Sequence, residues 1–591
     1  MHEIALNWLE QRAVWGQADA RKRIKEALGP ASRSGMAYRW GVAVATGSRC
    51  EDWLQVVSRL ACDSKPSKAR SCDTLVEDIQ AWLERIRSGS LLSLADASVS
   101  NAVAAAIPTL HKRLCDEELE SVCKSLYTLH QESIERSDAS DPLYLLLGAE
   151  LGWHLHLLLN SEDSRPPLSP KLTQNSQRAM AQWCQHLDDS VPRAVEGGNQ
   201  VRLVLASLIR CKKLGLVHGL DAEQKASWKA AGAKVAHWVM ALSGYRGLSA
   251  FSEADANAVQ DDSAVDGLLD QAIKFDREQL ANAKISAVGK APKGAGLSWE
   301  VSLPESMLHD PASKLSVMMP QWTARRSRMH VDYHAEQVRW ELFGGKHPML
   351  SGSIESSLTI EDKVQRPIGS WQEVCEYSDD DVHYLEVEQD WTGGAVLQRQ
   401  FMLIREDRCV FFSDAILPKD PDESLGEIRY HCRLPVAELN TVEVDQEIRE
   451  FVFVKGNRRA MGIPLAAPEW KMGPSLFDLS LSSDQHLVLT GAGRDRVYVP
   501  LWFDFSQRRF SRKRTWRQLT VADQLKILDH SQAVGYRVQM GSEQWLVYRS
   551  LYGQRTRTVL GKHLMADFYC ARFDAGDGSF EELITVDDND E

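Results

Sequence analysis

The stretch Arg328–Gly352, RMHVDYHAEQVRWELFGGKHPMLSG, places His330, Asp332, His334 and Glu336 two residues apart and then runs through Trp340, Leu342 and Phe343 into a Gly344-Gly345 turn. Side chains of an extended strand alternate between its two faces, so these four residues are expected on one face of a strand. Two imidazoles and two carboxylates on one face suit either of two roles. They could ligate zinc, with His334 and Glu336 as the leading ligands, or one imidazole, His334 before His330, could move a proton. The same alternation also describes a strand face turned to solvent.

The residues that follow keep a period of two. Leu385 and Val387 alternate with Glu386 and Glu388, and Leu397, Arg399, Phe401 and Leu403 alternate with Val396, Gln398, Gln400 and Met402. Further strand-like runs fall at Cys409–Ile416, Phe451–Val454, Leu487–Leu489, Val497–Phe503 and Trp545–Tyr548, with turn signals at Gly393-Gly394 and Gly456-Asn457. Many short strands at this spacing predict a large antiparallel β-sandwich or stacked sheets over residues 297–591.

Before residue 289 the period changes. Apolar residues recur every three or four positions in Ile4–Leu28, Asp52–Leu60, Leu75–Ile86, Asp116–Ile134, Leu143–Leu159, Ser176–Leu187, Gln200–Leu214, Ala222–Leu242 and Val265–Ala283. About ten helices are too many for a simple bundle, and no repeat of fixed length occurs. Antiparallel helix pairs in a ring or arc would bury these faces. The boundaries expected are 1–288 for a helical toroid-like domain, 289–296 (GKAPKGAG) for a linker and 297–591 for the β domain. The apolar run Pro142–Leu159 is only about long enough to span a bilayer and carries Glu150, His154 and His156, so a buried helix opening at Asp141-Pro142 is expected.

Composition narrows the function. The chain has 591 residues and a net charge of −13, which disfavours duplex nucleic acid as a partner. Eleven cysteines with no CxxC pair argue for reduced thiols. The N-terminus lacks a basic start followed by an apolar core, so neither a secretory leader nor a membrane span is expected, and the expected location is cytoplasmic. No P-loop, GxGxxG, GxSxG or HExxH occurs, which disfavours nucleotide-dependent enzymes, serine hydrolases and zincins.

A helical half followed by a large β half resembles the heparinase II/III-like polysaccharide lyases, whose fold is an incomplete α/α toroid followed by antiparallel β-sheets. Arg328–Gly352 is similar to that family's entry into the β half, roughly His-x-His-x-Asp-x-x-Ser-Phe-x-Leu-Tyr-x-x-Gly. Trp340, Leu342 and Phe343 stand at the Phe-x-Leu-Tyr positions and His334 at the second His. Asp332 replaces the first His and Glu336 the Asp. Leu397–Leu417 resembles the family's basic strand, here with Arg399, and the apolar strand after it. Arg429–Pro435 resembles the next strand, with His431 at a position that is often His. The Trp- and Arg-rich end, from Arg514 onward, resembles an elaboration of bacterial heparinase-like proteins of planctomycete type.

The resemblance implies action on acidic, uronate-containing polysaccharide by β-elimination. Such chemistry neutralises the uronate carboxylate and then needs a base and an acid, commonly Tyr or His. It implies a base at His334, with His330 as second choice, and a Tyr from the toroid. Tyr245, in the loop LSGYRGLSAF, is the favoured one among Tyr144, His154, His156, Tyr245 and Arg246. His154 and His156 lie two apart and do not share a helix face.

Arg399, His431, Arg514 and Trp516 are the expected substrate contacts. The last two belong to a basic run of Arg508, Arg509, Arg512, Lys513, Arg514 and Arg517 interleaved with Phe510 and Trp516. That run suits sulfate or carboxylate groups and sugar faces, or equally a solvated surface balanced by nearby acids. Zinc is the possible cofactor. The departures at Asp332 and Glu336 keep a non-catalytic glycan- or protein-binding descendant open, and an α/α-toroid hydrolase would need two facing carboxylates. Ser378–Asp381 (SDDD) lacks calcium-loop spacing and reads as a turn.

Overall fold

The structure is a computed structural model. It describes residues 19–41, 49–62, 73–87, 92–135, 138–159, 168–198, 200–247, 249–251, 262–290, 297–323, 326–438, 440–455 and 457–587. Most of the expected linker, the Gly456 turn signal and the acidic tail after Asp587 lie outside these residues. The chain divides into two compact units, Met1–Pro304 and Glu305–Glu591. The short helix Leu297–Val301 therefore belongs with the helical unit.

The first unit is helical throughout its described regular elements. The expected helices are present as Arg49–Cys62, Asp73–Arg87, Asp116–Glu135, Leu168–Gln185, Val201–Lys213 and Ala222–Ala241. The single helix expected over Val265–Ala283 is instead two, Asp262–Ala272 and Arg277–Ala287. Asp276 breaks the run by adopting extended backbone and capping the second helix through Gln279 N–H. Helix Leu94–Leu110 lies outside the amphipathic pattern because it is buried almost all round, so no polar stripe marks it. Ser93 and Asp96 close a capping box at its start.

The run after Asp141 is buried, as its composition requires. It begins as a π-helix, Tyr144–Leu151, and continues as α-helix Gly152–Leu159. On this segment Glu150 meets Arg210 of Val201–Lys213 in a fully buried bidentate pair, with Nε–Oε1 2.5 Å and Nη2–Oε2 3.0 Å. Arg210 also donates to the Ala37 carbonyl at 2.9 Å. His154 bonds Tyr38 Oη through Nε2 (2.9 Å) and the Glu150 carbonyl through Nδ1 (2.9 Å), and burial lowers its pKa so that it stays neutral. Among the described residues no helix is long and apolar enough to cross a membrane.

The second unit stacks antiparallel sheets. Its central sheet has eight strands in the order Thr441–Val444, Phe451–Lys455, Asn457–Pro464, Val497–Asp504, Cys409–Pro418, Ala395–Ile404, Val382–Trp391 and Pro367–Ser378. One face packs on two five-stranded sheets. The first is Met307–Asp310, Leu315–Met318, Arg328–Asp332, Arg339–Phe343 and Pro348–Ser353. The second is Phe477–Leu481, His486–Arg494, Glu427–Pro435, Glu355–Ile360 and Lys363–Val364. Trp340 anchors this core, stacked on Phe412 at 5.1 Å with the edges of Phe401 and Phe503 around it.

The other face of the central sheet packs on a terminal sheet of Arg514–Leu519, Ala533–Met540, Glu543–Ser550, Phe568–Phe573 and Phe580–Val586. A small four-stranded sheet covers part of that sheet's far side. The central strands are thus buried on both faces. Ala395–Ile404 sends Leu397, Phe401 and Leu403 one way and Met402 and Ile404 the other. Helical toroid and β-sandwich classes of element therefore appear in the expected chain order.

Candidate functional site

Strand Arg328–Asp332 ends two residues short of His334, so the expected common face of His330, Asp332, His334 and Glu336 does not form. His330 is wholly buried. Its Nδ1 lies 3.1 Å from Glu341 Oε2 on the neighbouring strand, and its ring meets the Phe343 ring edge-on at 5.2 Å. Asp332, also buried, folds back to accept the His334 backbone N–H at 3.1 Å and lies 3.5 Å from Arg339 Nη1. That Asx turn ends the strand: a short carboxylate bonding the backbone two residues on competes with ladder pairing.

The turn presents His334 and Glu336 at the surface. The loop carrying them is pinned from below. Glu336 C=O accepts from Trp371 Nε1 at 2.8 Å and from Gln389 Nε2 at 3.3 Å. Tyr333 N–H bonds the Lys314 carbonyl at 2.9 Å. Among the described residues no three His, Cys, Asp or Glu side chains gather in a metal-holding group, so His334 and Glu336 have no third protein ligand there.

One constellation beside this loop was not legible in the sequence. Tyr333 Oη donates to Glu373 Oε2 at 2.9 Å, and His309 Nε2 lies 2.7 Å from the same oxygen. The His309 and Tyr333 rings are stacked, with centroids 6.4 Å apart. Burial, reinforced by Glu373, pushes the Tyr333 phenol well above its ordinary range, so it remains a proton donor. Glu373 sits 40 residues downstream on the edge strand Pro367–Ser378, and no spacing rule connects it to Tyr333.

Tyr245 lies half-buried in a single 3₁₀ turn, Tyr245–Gly247, in the helical unit. The turn is closed by a bridge between Ser243 and Ser249 and held from behind by buried Arg202. That guanidinium donates to Ser243 Oγ and the Gly247 carbonyl, both at 2.9 Å. Burial draws the Arg202 pKa down to about 10.

Of the expected substrate contacts, Arg514 and Trp516 share the strand Arg514–Leu519 and line one surface depression, while Arg399 and His431 lie on other strands. Arg399 is fully buried in the core, bidentate to Asp414 (2.7 and 3.0 Å) and bonded to Ser356 Oγ (2.9 Å), with the Trp371 ring 5.1 Å away. Its register opposite Asp414 on the adjoining strand makes it an internal ion pair and leaves it no surface for a glycan. His431 is exposed on the outer face of strand Glu427–Pro435, between Arg429 and Arg433, which pair with Asp362 and with Asp484 and Glu355. Trp516 is buried, its indole donating to the Ala467 carbonyl at 2.9 Å, so it offers no ring face to a sugar.

Arg514 is half-buried and engaged by Glu450. Of the basic run, Arg509 likewise pairs with Asp504 and Glu543. Arg512, Lys513 and Arg517 remain exposed. Arg512, Lys513 and Arg514 line a surface depression of about 310 Å³ with Ile448, Glu450 and Glu469. Ser378–Asp381 is a turn, Asp379 accepting from the N–H groups of Asp381 and Val382. The described cysteines are free thiols.

This architecture is found in solved structures. A structure of heparinase III superposes with a TM-score of 0.54 at 10% identity, over 85% of this chain and 82% of that one. The chain has the heparinase fold. A heparan sulfate lyase mutant from Pedobacter heparinus gives a TM-score of 0.51 at 10% identity, over 93% and 94% of the two chains. A second heparinase III, with methylated lysines, gives 0.51 at 9% identity, over 88% and 82%. No protein-family model matches the sequence, and no curated protein matches it. The heparinase fold is thus kept at an identity that by itself carries no activity.

Proposed function

We propose that this heparinase-fold protein acts on acidic, uronate-containing polysaccharide by β-elimination, with His334 as the base. The observation that carries this reading is the His334 loop. An exposed imidazole stands on a turn whose backbone is held by Asp332, Trp371 and Gln389, so the loop that carries it is in place before a ligand arrives. In the reaction the imidazole takes the proton α to the uronate carboxylate. The electron pair left behind forms the C4–C5 double bond, the C4–O bond breaks, and the departing oxygen takes a proton. Tyr333 is locked to Glu373 and serves as support for the loop.

A non-catalytic glycan binder is the second reading, favoured by a specific observation. The residue at the first His position is Asp332, and it is spent on the turn and on Arg339. The test is incubation of purified protein, with and without zinc, with a panel of uronic-acid polysaccharides and oligosaccharides. The readout is ultraviolet absorbance of the unsaturated uronate. Elimination predicts a signal that His334→Ala abolishes. Glycan binding without any absorbance change would replace the enzyme reading with the binder.

A further inference from the structure

We propose that the outer face of the terminal sheet carries an oxyanion-binding site, for a group of the sulfate or phosphate type, between Arg517 and Arg537. The two residues are directly opposed on neighbouring antiparallel strands, Arg514–Leu519 and Ala533–Met540. Their inward neighbours Trp516, Tyr536 and Val538 are buried in the core, so alternation turns both arginines to the other face. There they line one cavity of about 220 Å³ together with Thr515 and Gln539.

Like charges placed directly opposite in a sheet repel and are avoided unless something sits between them. Among the described residues nothing anionic does. Among the described residues neither arginine forms an ion pair, and their neighbours on this face, Thr515, Leu519, Gly535 and Gln539 along the two strands and Leu546 opposite Arg537, are uncharged. Five other arginines of this end of the chain, Arg509, Arg514, Arg549, Arg557 and Arg572, do hold carboxylates.

Arg537 is also incompletely satisfied. Its Nη2 donates to Gln539 Oε1 at 2.6 Å, while its Nε is buried without a hydrogen-bond partner. A planar guanidinium offers Nε and one Nη as a fork matched to two oxygens of a tetrahedral anion. Thr515 and Gln539 stand at the rim of the same cavity with their donors already used, Thr515 Oγ1 on Glu469 and Gln539 Nε2 on the Gly541 carbonyl, so the two guanidinium groups are the donors left for an anion. The site uses no residue of the His334 loop, so it stands or falls independently of elimination.

The test uses the full chain and variants Arg517→Gln and Arg537→Gln. Melting temperature and calorimetric titration are followed with sodium sulfate and sodium phosphate against sodium chloride at equal ionic strength. A sulfated polysaccharide and its desulfated form provide a second arm. The wild-type protein should be stabilised by the oxyanion beyond chloride, and each variant should bind it about 10- to 100-fold more weakly. At low salt without oxyanion, exposed Arg517→Gln should melt higher than wild type, because a like-charge pair is removed. Binding of both inorganic anion and sulfated polymer would assign a glycan subsite; binding of the inorganic anion alone would assign a small-anion site. Equal stabilisation of wild type and both variants, or no oxyanion effect beyond chloride, overturns the proposal.

Discussion

His383 should make the β unit acid-sensitive over a defined window. It is buried on the central strand Val382–Trp391. Nε2 lies 2.9 Å from the Met319 carbonyl and 3.0 Å from Ser306 Oγ, and Nδ1 lies 2.8 Å from Ser378 Oγ. Burial first, then the Arg405 charge, lowers its pKa from 6.5 to about 4. The folded state therefore binds this proton more weakly than the unfolded chain. Stability from this residue is complete above about pH 6.5 and is lost as pH falls through 4.

At about 1.4 kcal/mol per pH unit, the full loss is roughly 3 kcal/mol. His383→Gln keeps an amide donor for Met319 and an acceptor for Ser378 but cannot take up the proton. Urea unfolding of both proteins, read by hydrogen exchange in peptides of the central sheet, gives the stability difference at each pH between 7 and 4. The variant should start less stable and converge on, or overtake, wild type toward pH 4. Subtracting the curves cancels contributions shared by both proteins, including that of His237, which is also held near 4 by burial. Parallel curves across the window would refute the reasoning.

Other expectations follow from named contacts. Asp414→Ala leaves the Arg399 guanidinium buried and unpaired, and should cost about 3–5 kcal/mol in denaturant unfolding of the β unit. Arg399→Met with Asp414→Leu should cost less than Asp414→Ala alone; the reverse order would show that the pair itself stabilises. Gly232→Ala would normally favour a helix by about 1 kcal/mol. In helix Ala222–Ala241 the new methyl would stand 2.0 Å from the Phe275 ring, so the melting temperature should fall.

The fold was legible because its two halves bury surface in different rhythms. Helix Ala222–Ala241, for example, buries Trp228, Ala231, Gly232, Val235, Ala236 and Val239 at three- and four-residue spacing. The central strands alternate between two cores, and Trp340 and Leu342 fill one of them from the stretch that first suggested the fold. What escaped was set by long-range pairing. Helix Leu94–Leu110 carries no polar stripe, and the π-helix at Tyr144–Leu151 leaves no signature beyond its apolarity.

The candidate site was legible only in part, for the same reason. Alternation puts Asp332 on one strand face with His330, His334 and Glu336, but its carboxylate caps the turn that throws His334 outward. Residue type and resemblance make Arg399 an expected substrate contact. Its register against Asp414 turns it into core, which residue type alone does not reveal. The Tyr333–Glu373–His309 grouping and the opposed Arg517 and Arg537 both depend on which strands become neighbours.

The most direct test of the central claim is the mass of the fragments released from a uronate-containing oligosaccharide of defined length. Elimination cleaves without adding water, so the fragment masses should sum to that of the substrate, with the new non-reducing end lighter by one water than a hydrolytic product. His334→Ala should release neither fragment. Fragments whose masses sum to substrate plus one water would make the protein a hydrolase and contradict the account, as would cleavage that persists unchanged in His334→Ala.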